Sequence, residues 1–469
     1  MSAHGHGADV ENTIWMRAVL FGTIFLVIGV LAYGVMGVGV ANVKHHEYDE
    51  AHHEYEVAKE EYKAASDSGT ATQSELDRLH EVEEEAHHHY VEAHLSYLTW
   101  RTAGITILLM CVVYALFIGL GGFMNSIQPS GDHGDSHGHE DEYGHEHHGS
   151  SSPIIFSLGI MLFLMGFPMF ADAAKAMLMT DAGGNVGDMM LSLFGLVIVA
   201  IGVANWWRED LPFNGHGEQI ATSHPFEGQH IRKAGLWVFI MSEVMVFATF
   251  FSSYLRMRTE WCTFWQVQEE NPSCQVVGEN GAISYQVDML TASDFLRPNG
   301  GSMVLEDGTV IGGQGDFMTL LPGAINTFAL IISSYTIVLA LKTAKAHNWE
   351  APKGFMGKIM PTQKIAIRNY LIATFLLGSM FIVLKLIEWS HLVAEGFDIG
   401  TQGGSIFYIA TGAHGLHVFI GLLVMLYLIF KADTVGFDEE NGQGIEYFGL
   451  YWHFVDLAWV AIFPAFYLY

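Results

Sequence analysis

The chain has 469 residues, 51% hydrophobic and only 15% charged, with 21 basic against 50 acidic residues and a net charge of −29. The apolar content excludes a disordered chain, three cysteines exclude a disulfide scaffold, and the acidic balance argues against a nucleic-acid partner. With a charged fraction well below the soluble norm of about 25%, the composition predicts a polytopic membrane protein whose acidic charge is concentrated in its loops.

A bilayer-spanning helix needs about 20 predominantly apolar residues. Nine stretches meet that requirement: 13–42, 102–124, 154–174, 189–207, 232–256, 318–345, 367–394, 404–431 and 446–469. Glycines such as Gly22, Gly29, Gly34, Gly37 and Gly39 in the first stretch allow close helix approach. That stretch is too long for a removable signal peptide, and no small-residue cleavage site follows it. Basic residues set the orientation. Arg17, Arg208, Arg232, Lys233, Lys342, Lys345, Lys353, Lys358, Lys364, Arg368 and Lys431 fall on one side, and the short segments opposite hold little beyond Lys175. The expectation is an amino terminus inside and a carboxyl terminus outside.

Residues 1–152 have their own character, with 23 acidic and 6 basic residues and 17 of the 25 histidines. In the polar segment 44–101, Tyr48, Ala51, Tyr55, Ala58, Tyr62 and Ala65 alternate at three and four positions, the spacing of a heptad seam. A turn-like break around Gly69 follows, then a second run with Leu76, Leu79, Val82, Ala86, Tyr90, Ala93 and Tyr97. The pattern predicts an antiparallel helical hairpin continuous with both flanking spans, each arm some 30–40 Å long at about 1.5 Å per residue. An acidic loop of fluctuating helicity is the competing reading. Residues 131–152, GDHGDSHGHEDEYGHEHHGSSS, suit zinc, copper or nickel by donor type. No fixed ligand spacing is visible, and a flexible acidic linker is the reading preferred.

The loop 257–317 contains short β-branched stretches beside the turn signals Asn280-Gly281 and Asp307-Gly308, so small hairpins are expected. Cys262 and Cys274 lie within it, and a disulfide between them is expected if the loop faces outside. Cys111 reads as a small apolar core residue.

Ionisable groups within a bilayer are costly and therefore informative. Glu243 stands mid-span with no basic residue near it in sequence. Lys385 and Glu388, His414 and His417, and His453 and Asp456 each share a helix face at i,i+3. Three readings stay open: a haem or metal site, a proton or ion pathway using Glu243, and structural polar packing. Bis-histidine haem needs ligands from opposite sides of the iron, which His414 and His417 on one helix do not supply.

The wording of the later segments carries a resemblance. Ser152-Pro153 is followed by Trp206-Trp207-Arg208-Glu209-Asp210, then Gln229-His230-Ile231-Arg232-Lys233-Ala234-Gly235-Leu236-Trp237 with Ser242-Glu243-Val244 and Phe250-Phe251. Asn326-Thr327, Ser333-Ser334 and Lys385-Leu386-Ile387-Glu388-Trp389 come next. Thr411-Gly412-Ala413-His414-Gly415-Leu416-His417-Val418 and Tyr451-Trp452-His453-Phe454-Val455-Asp456 with Trp459 complete the order. Residues about 153–469 thereby resemble subunit III of the haem–copper oxidases of the cytochrome c oxidase type.

The resemblance implies an all-α polytopic protein of about nine transmembrane helices, seven of them a two-plus-five bundle around a lipid cleft. It implies a non-catalytic subunit of an oxidoreductase complex that binds subunit I, adjoins subunit II and other respiratory subunits, and sustains proton uptake during reduction of oxygen to water. It also implies that this chain holds no metal, that haem and copper sit in partner subunits, and that structural phospholipids are retained. The membrane is then a prokaryotic plasma membrane. Glu243 becomes the buried, carbodiimide-reactive carboxyl near the lipid cleft. Lipid contacts fall near Trp206, Arg208, Phe239 and Lys431, and Glu388, His414, His417, His453 and Asp456 form an interhelical polar network. The resulting partition is an extension over 1–130, a linker over 131–152 and the seven-helix domain over 153–469. The extension and the long loop depart from the family pattern. An independent proton-coupled membrane transporter is the alternative.

Overall fold

A computed structural model describes residues 5–68, 71–127, 151–179, 184–210, 220–221, 224–277, 283–304, 310–313, 315–434, 436–437 and 442–468. The histidine-rich stretch 131–150 lies outside the described residues, as do the side chains of Trp206 and Arg208.

Helix α1 (Gly5–Ala32) continues through a π-helical stretch (Tyr33–Val40) into α2 (Ala41–Ser68), and α3 (Gln73–Ile127) is a single helix of 55 residues. Helices α4 (Ser152–Met179), α5 (Val186–Asp210) and α6 (Ile231–Glu260) follow. The loop after α6 contains the short helix α7 (Phe264–Gln268), the antiparallel pair β1 (Gln275–Val277) and β2 (Ile283–Tyr285), α8 (Ala292–Leu296), and a second pair, β3 (Ser302–Val304) and β4 (Val310–Gly312). The chain then forms α9 (Phe317–Ala344), α10 (Phe355–Ile359), α11 (Gln363–Ala394), α12 (Gln402–Thr434) and α13 (Gln443–Phe463), with a last π-helical turn at Pro464–Leu468. Among the described residues nine helices are long and apolar enough to cross a membrane. The architecture is that of an all-α polytopic membrane protein.

The chain divides into two compact units, one comprising 1–30 with 109–218 and the other 31–108 with 219–469. In the first, α4 and α5 pack closely because glycine faces backbone. A Cβ at Gly195 would stand 2.4 Å from Phe163 N, and one at Gly159 2.5 Å from Val199 N. The Ser192 hydroxyl donates to Phe163 O at 2.9 Å across the same seam. Without a hydrophobic force between helices in lipid, such close packing and interhelical hydrogen bonds carry association.

In the second unit α2 and α3 lie side by side. Buried Ala51, Ala58 and Ala93 leave room for flanking rings. Tyr48 packs on His94 with centroids 4.8 Å apart, Tyr55 on His87 at 4.9 Å and Tyr62 on His80 at 5.3 Å. His391 ties this pair to α11: its Nε2–H reaches Thr99 Oγ1 at 2.8 Å and Leu95 O at 3.1 Å.

Helices α6, α9, α11, α12 and α13 form a bundle whose centre is aromatic. Trp452 and Trp459 are fully buried, and their indole N–H groups donate to Ser333 Oγ at 2.8 Å and Thr327 Oγ1 at 2.9 Å. A buried indole usually finds such a partner. At one end of this bundle Glu446 receives Lys233 at 2.8 Å and Lys345 at 2.5 Å, and Arg368 meets Asp433 at 2.6 Å.

Candidate functional site

The central polar contact of the bundle joins α6 to α12. His417 Nε2 lies 3.1 Å from Glu243 Oε2, while His417 Nδ1 lies 2.7 Å from Ala413 O. A carbonyl only accepts, so Nδ1 carries the proton of that bond. His417 Nε2 is thereby turned toward the Glu243 carboxyl across this contact. Phe247 and Phe454 flank the imidazole at 5.5 and 6.4 Å, and Tyr451 O–H donates to His417 O at 2.8 Å. The two side chains remain 16% and 19% exposed for His417 and Glu243 respectively.

A second group is sealed. Lys385 Nζ donates to Glu388 Oε1 at 2.5 Å and also contacts the Tyr467 hydroxyl, which donates to the same Oε1 at 2.6 Å. The ammonium lies 4.7 Å from the ring centre of Tyr467, 4.8 Å from that of Phe407 and 5.3 Å from that of Trp459. A cation caged by aromatic faces recovers part of its lost hydration. Lys385 and Glu388 are both buried.

His414 is separate again. Its Nε2–H donates to Val455 O at 3.0 Å, and Nδ1 is a buried acceptor with no hydrogen-bond partner. Asp456 is half-buried beside Ser334, with Oδ1 unbonded, and His453 is exposed. The structure thus corrects the expectation of one network through Glu388, His414, His417, His453 and Asp456. No hydrogen bond joins these five to one another among the described residues; Glu388, His414 and His417 each bond elsewhere. Three residues along a helix leave side chains about 60° apart, enough to put Asp456 at the packed face and His453 outside it.

Phe239 is exposed on α6 with its ring 6.3 Å from that of Tyr451, and Lys431 Nζ lies 5.1 Å from the ring centre of Phe437. Cys262 and Cys274 form a disulfide, and Cys111 is buried and free. Sequence reasoning missed Tyr467, His391 and Thr99. A lone tyrosine near a helix end and a histidine at a span terminus carry no local signal of their distant partners. Among the described residues no three of His, Cys, Asp and Glu converge to hold a metal ion.

These features define an integral membrane protein built on a helical bundle, with ionisable groups paired between its helices. Residues 356–469 match the family model of cytochrome c oxidase subunit III. It is similar to the heme-copper oxidase subunit I+III of Aeropyrum pernix, 25% identical over 333 residues, or 70% of this chain and 31% of that protein. It is also similar to the cytochrome bo(3) ubiquinol oxidase subunit 3 of Pseudomonas aeruginosa, 38% identical over 145 residues, covering 31% of this chain and 62% of that protein. A probable quinol oxidase subunit 3 of Staphylococcus aureus is 28% identical over 255 residues, covering 54% of this chain and 96% of that protein. The chain spans less than two thirds of the length of the first two relatives.

Proposed function

We propose that the chain serves as subunit III of a proton-pumping haem–copper oxidase that takes electrons from cytochrome c or a quinol. In this reading it binds subunit I, adjoins subunit II, and leaves the haem and copper centres to those partners. Its work is to sustain proton uptake during oxygen reduction and to retain structural phospholipids near Phe239, Lys431, Trp206 and Arg208. The observation that carries the proposal is the family match over 356–469, which contains Lys385, Glu388, His414, His417, His453 and Asp456. The Glu243–His417 pair supports it by supplying a proton-holding group within the same bundle. The amino terminus faces the cytoplasm of a prokaryotic cell and the carboxyl terminus the outside. Residues 1–130 are an added two-span extension, joined by the linker 131–152 to the seven-helix domain.

Purification through this chain in mild detergent tests the reading, with mass spectrometry of partners, an optical spectrum and an oxygen electrode. Copurified large oxidase subunits, haem absorption and oxygen consumption are expected. A colourless chain that moves protons alone in liposomes overturns the proposal in favour of a proton-coupled transporter.

A further inference from the structure

One end of the bundle holds a group of hydrogen-bond donors that the proposed function does not use. Arg258 stands at the end of α6, with its guanidinium 5.8 Å from the ring centre of Tyr254 and 5.5 Å from that of Trp265. A guanidinium held against rings keeps its N–H donors at the edge. Arg297 follows α8 in the long loop, and its buried Nε–H has no acceptor. Neither arginine forms an ion pair among the described residues. Both line one small recess with Thr263. The Thr263 hydroxyl oxygen accepts from the Gln266 amide at 3.4 Å, which leaves its O–H to donate.

The acceptors beside the recess are already engaged. Asp294 Oδ2 accepts from the Thr291 amide at 2.8 Å and the Thr291 hydroxyl at 2.9 Å, and Oδ1 accepts from the Gly301 amide at 3.0 Å. Thr291 gives its own hydroxyl proton to Asp294 and so accepts from Ser293 at 2.9 Å. Two guanidinium groups against one carboxylate leave one net positive charge. A water molecule would find no open acceptor for its hydrogens among these side chains, whereas an anion needs only donors.

Size then selects the anion. The recess offers about 10 Å³, room for one water-sized species. Phosphate, sulfate and carboxylates carry several heavy atoms and exceed it. A monatomic halide fits, and chloride carries the single negative charge that Arg258, Arg297 and Asp294 leave unbalanced.

We infer that Arg258, Arg297 and Thr263 bind a chloride ion, which ties the end of α6 to the segment of the long loop that follows α8. The ion supplies the acceptor that the buried Arg297 Nε–H lacks, and a buried donor without one is costly. The site does not depend on the oxidase reading.

Anomalous diffraction from crystals of the full chain with whatever subunits accompany it, grown in bromide, tests the site. A bromide peak in the recess between Arg258 and Arg297 is expected. Thermal unfolding of the same preparation at constant ionic strength, with chloride replacing gluconate, gives the second readout. Chloride raises the midpoint of the unmodified protein. In Arg297→Gln the chloride concentration giving half of that rise increases about tenfold or more, the scale of one lost charged hydrogen bond. Arg256→Gln, on the same helix but exposed and paired with Glu260, keeps the unmodified response. Absence of a bromide peak in the recess overturns the inference. So does a bromide peak without any chloride response in solution, which indicates an adventitious ion only. Equal stabilisation by gluconate, or an equal loss in Arg256→Gln, indicates a general ionic effect and also overturns it. If Arg297→Gln does not fold, the bromide peak and the chloride response of the unmodified protein decide together.

Discussion

His417 Nε2 lies 3.1 Å from Glu243 Oε2, while the opposite ring nitrogen already donates to Ala413 O at 2.7 Å. The contact therefore couples a carboxyl on α6 to an imidazole on α12. Glu243→Gln keeps a hydrogen-bonding partner for Nε2 but removes the carboxyl. The expected outcome is a stability change within about 1 kcal/mol, since a neutral hydrogen bond replaces another. Labelling by a hydrophobic carbodiimide at this position is lost. Unfolding in detergent and peptide mapping of the labelled chain check the two parts separately.

Lys385, Glu388 and Tyr467 close a buried ring of hydrogen bonds. Lys385→Met leaves a carboxylate without its cation, and removing one partner of a buried pair costs about 3–5 kcal/mol. Lys385→Met with Glu388→Leu removes both charges and is expected to regain most of that loss. Equilibrium unfolding of the single and double variants in mixed micelles gives the coupling. Equal losses in the two would mean that packing, not charge, sets the cost.

His391 is the polar tie between α3 and α11, bonded to Thr99 and Leu95. His391→Ala removes both contacts, with an expected loss of about 1–2 kcal/mol. Because the tie is local, faster hydrogen exchange should concentrate around Leu95–Thr99 and the end of α11. Uniform acceleration across the bundle would count against a local tie.

Glu395 caps the end of α11 outside the membrane-spanning segment. Burial, with a smaller contribution from Asp316, raises its pKa from 4.5 to about 7. The folded chain consequently binds more protons than the unfolded chain between these values, and stability falls as pH rises through that window. Below about 4.5 the contribution is fully present, and above about 7 it is lost. Glu395→Gln should flatten this part of the stability–pH curve, as measured by thermal unfolding across the range.

Much of this protein follows from local sequence properties. Hydropathy is summed over about 20 adjacent residues, so the nine spans are legible without a fold. The Tyr–Ala seam of 44–101 is legible because its period is set by the helix itself, and α2 and α3 meet at Ala51, Ala58 and Ala93. The Lys385–Glu388 contact is legible for the same reason, being one turn long.

Tertiary structure decided the remainder, because partners distant in sequence have no periodic signature. Glu243 meets His417 across 174 positions, Tyr467 reaches Glu388 across 79, and His391 reaches Thr99 across 292. Helix rotation then separated residues that spacing had grouped. His417 turns to Glu243, His414 to Val455 O, and His453 lies outside the packed face. The sequence by itself determined which segments enter the membrane and which side chains are chemically able to carry a proton. Only packing, which sets each helix's rotation and neighbours, determined which of those side chains meet.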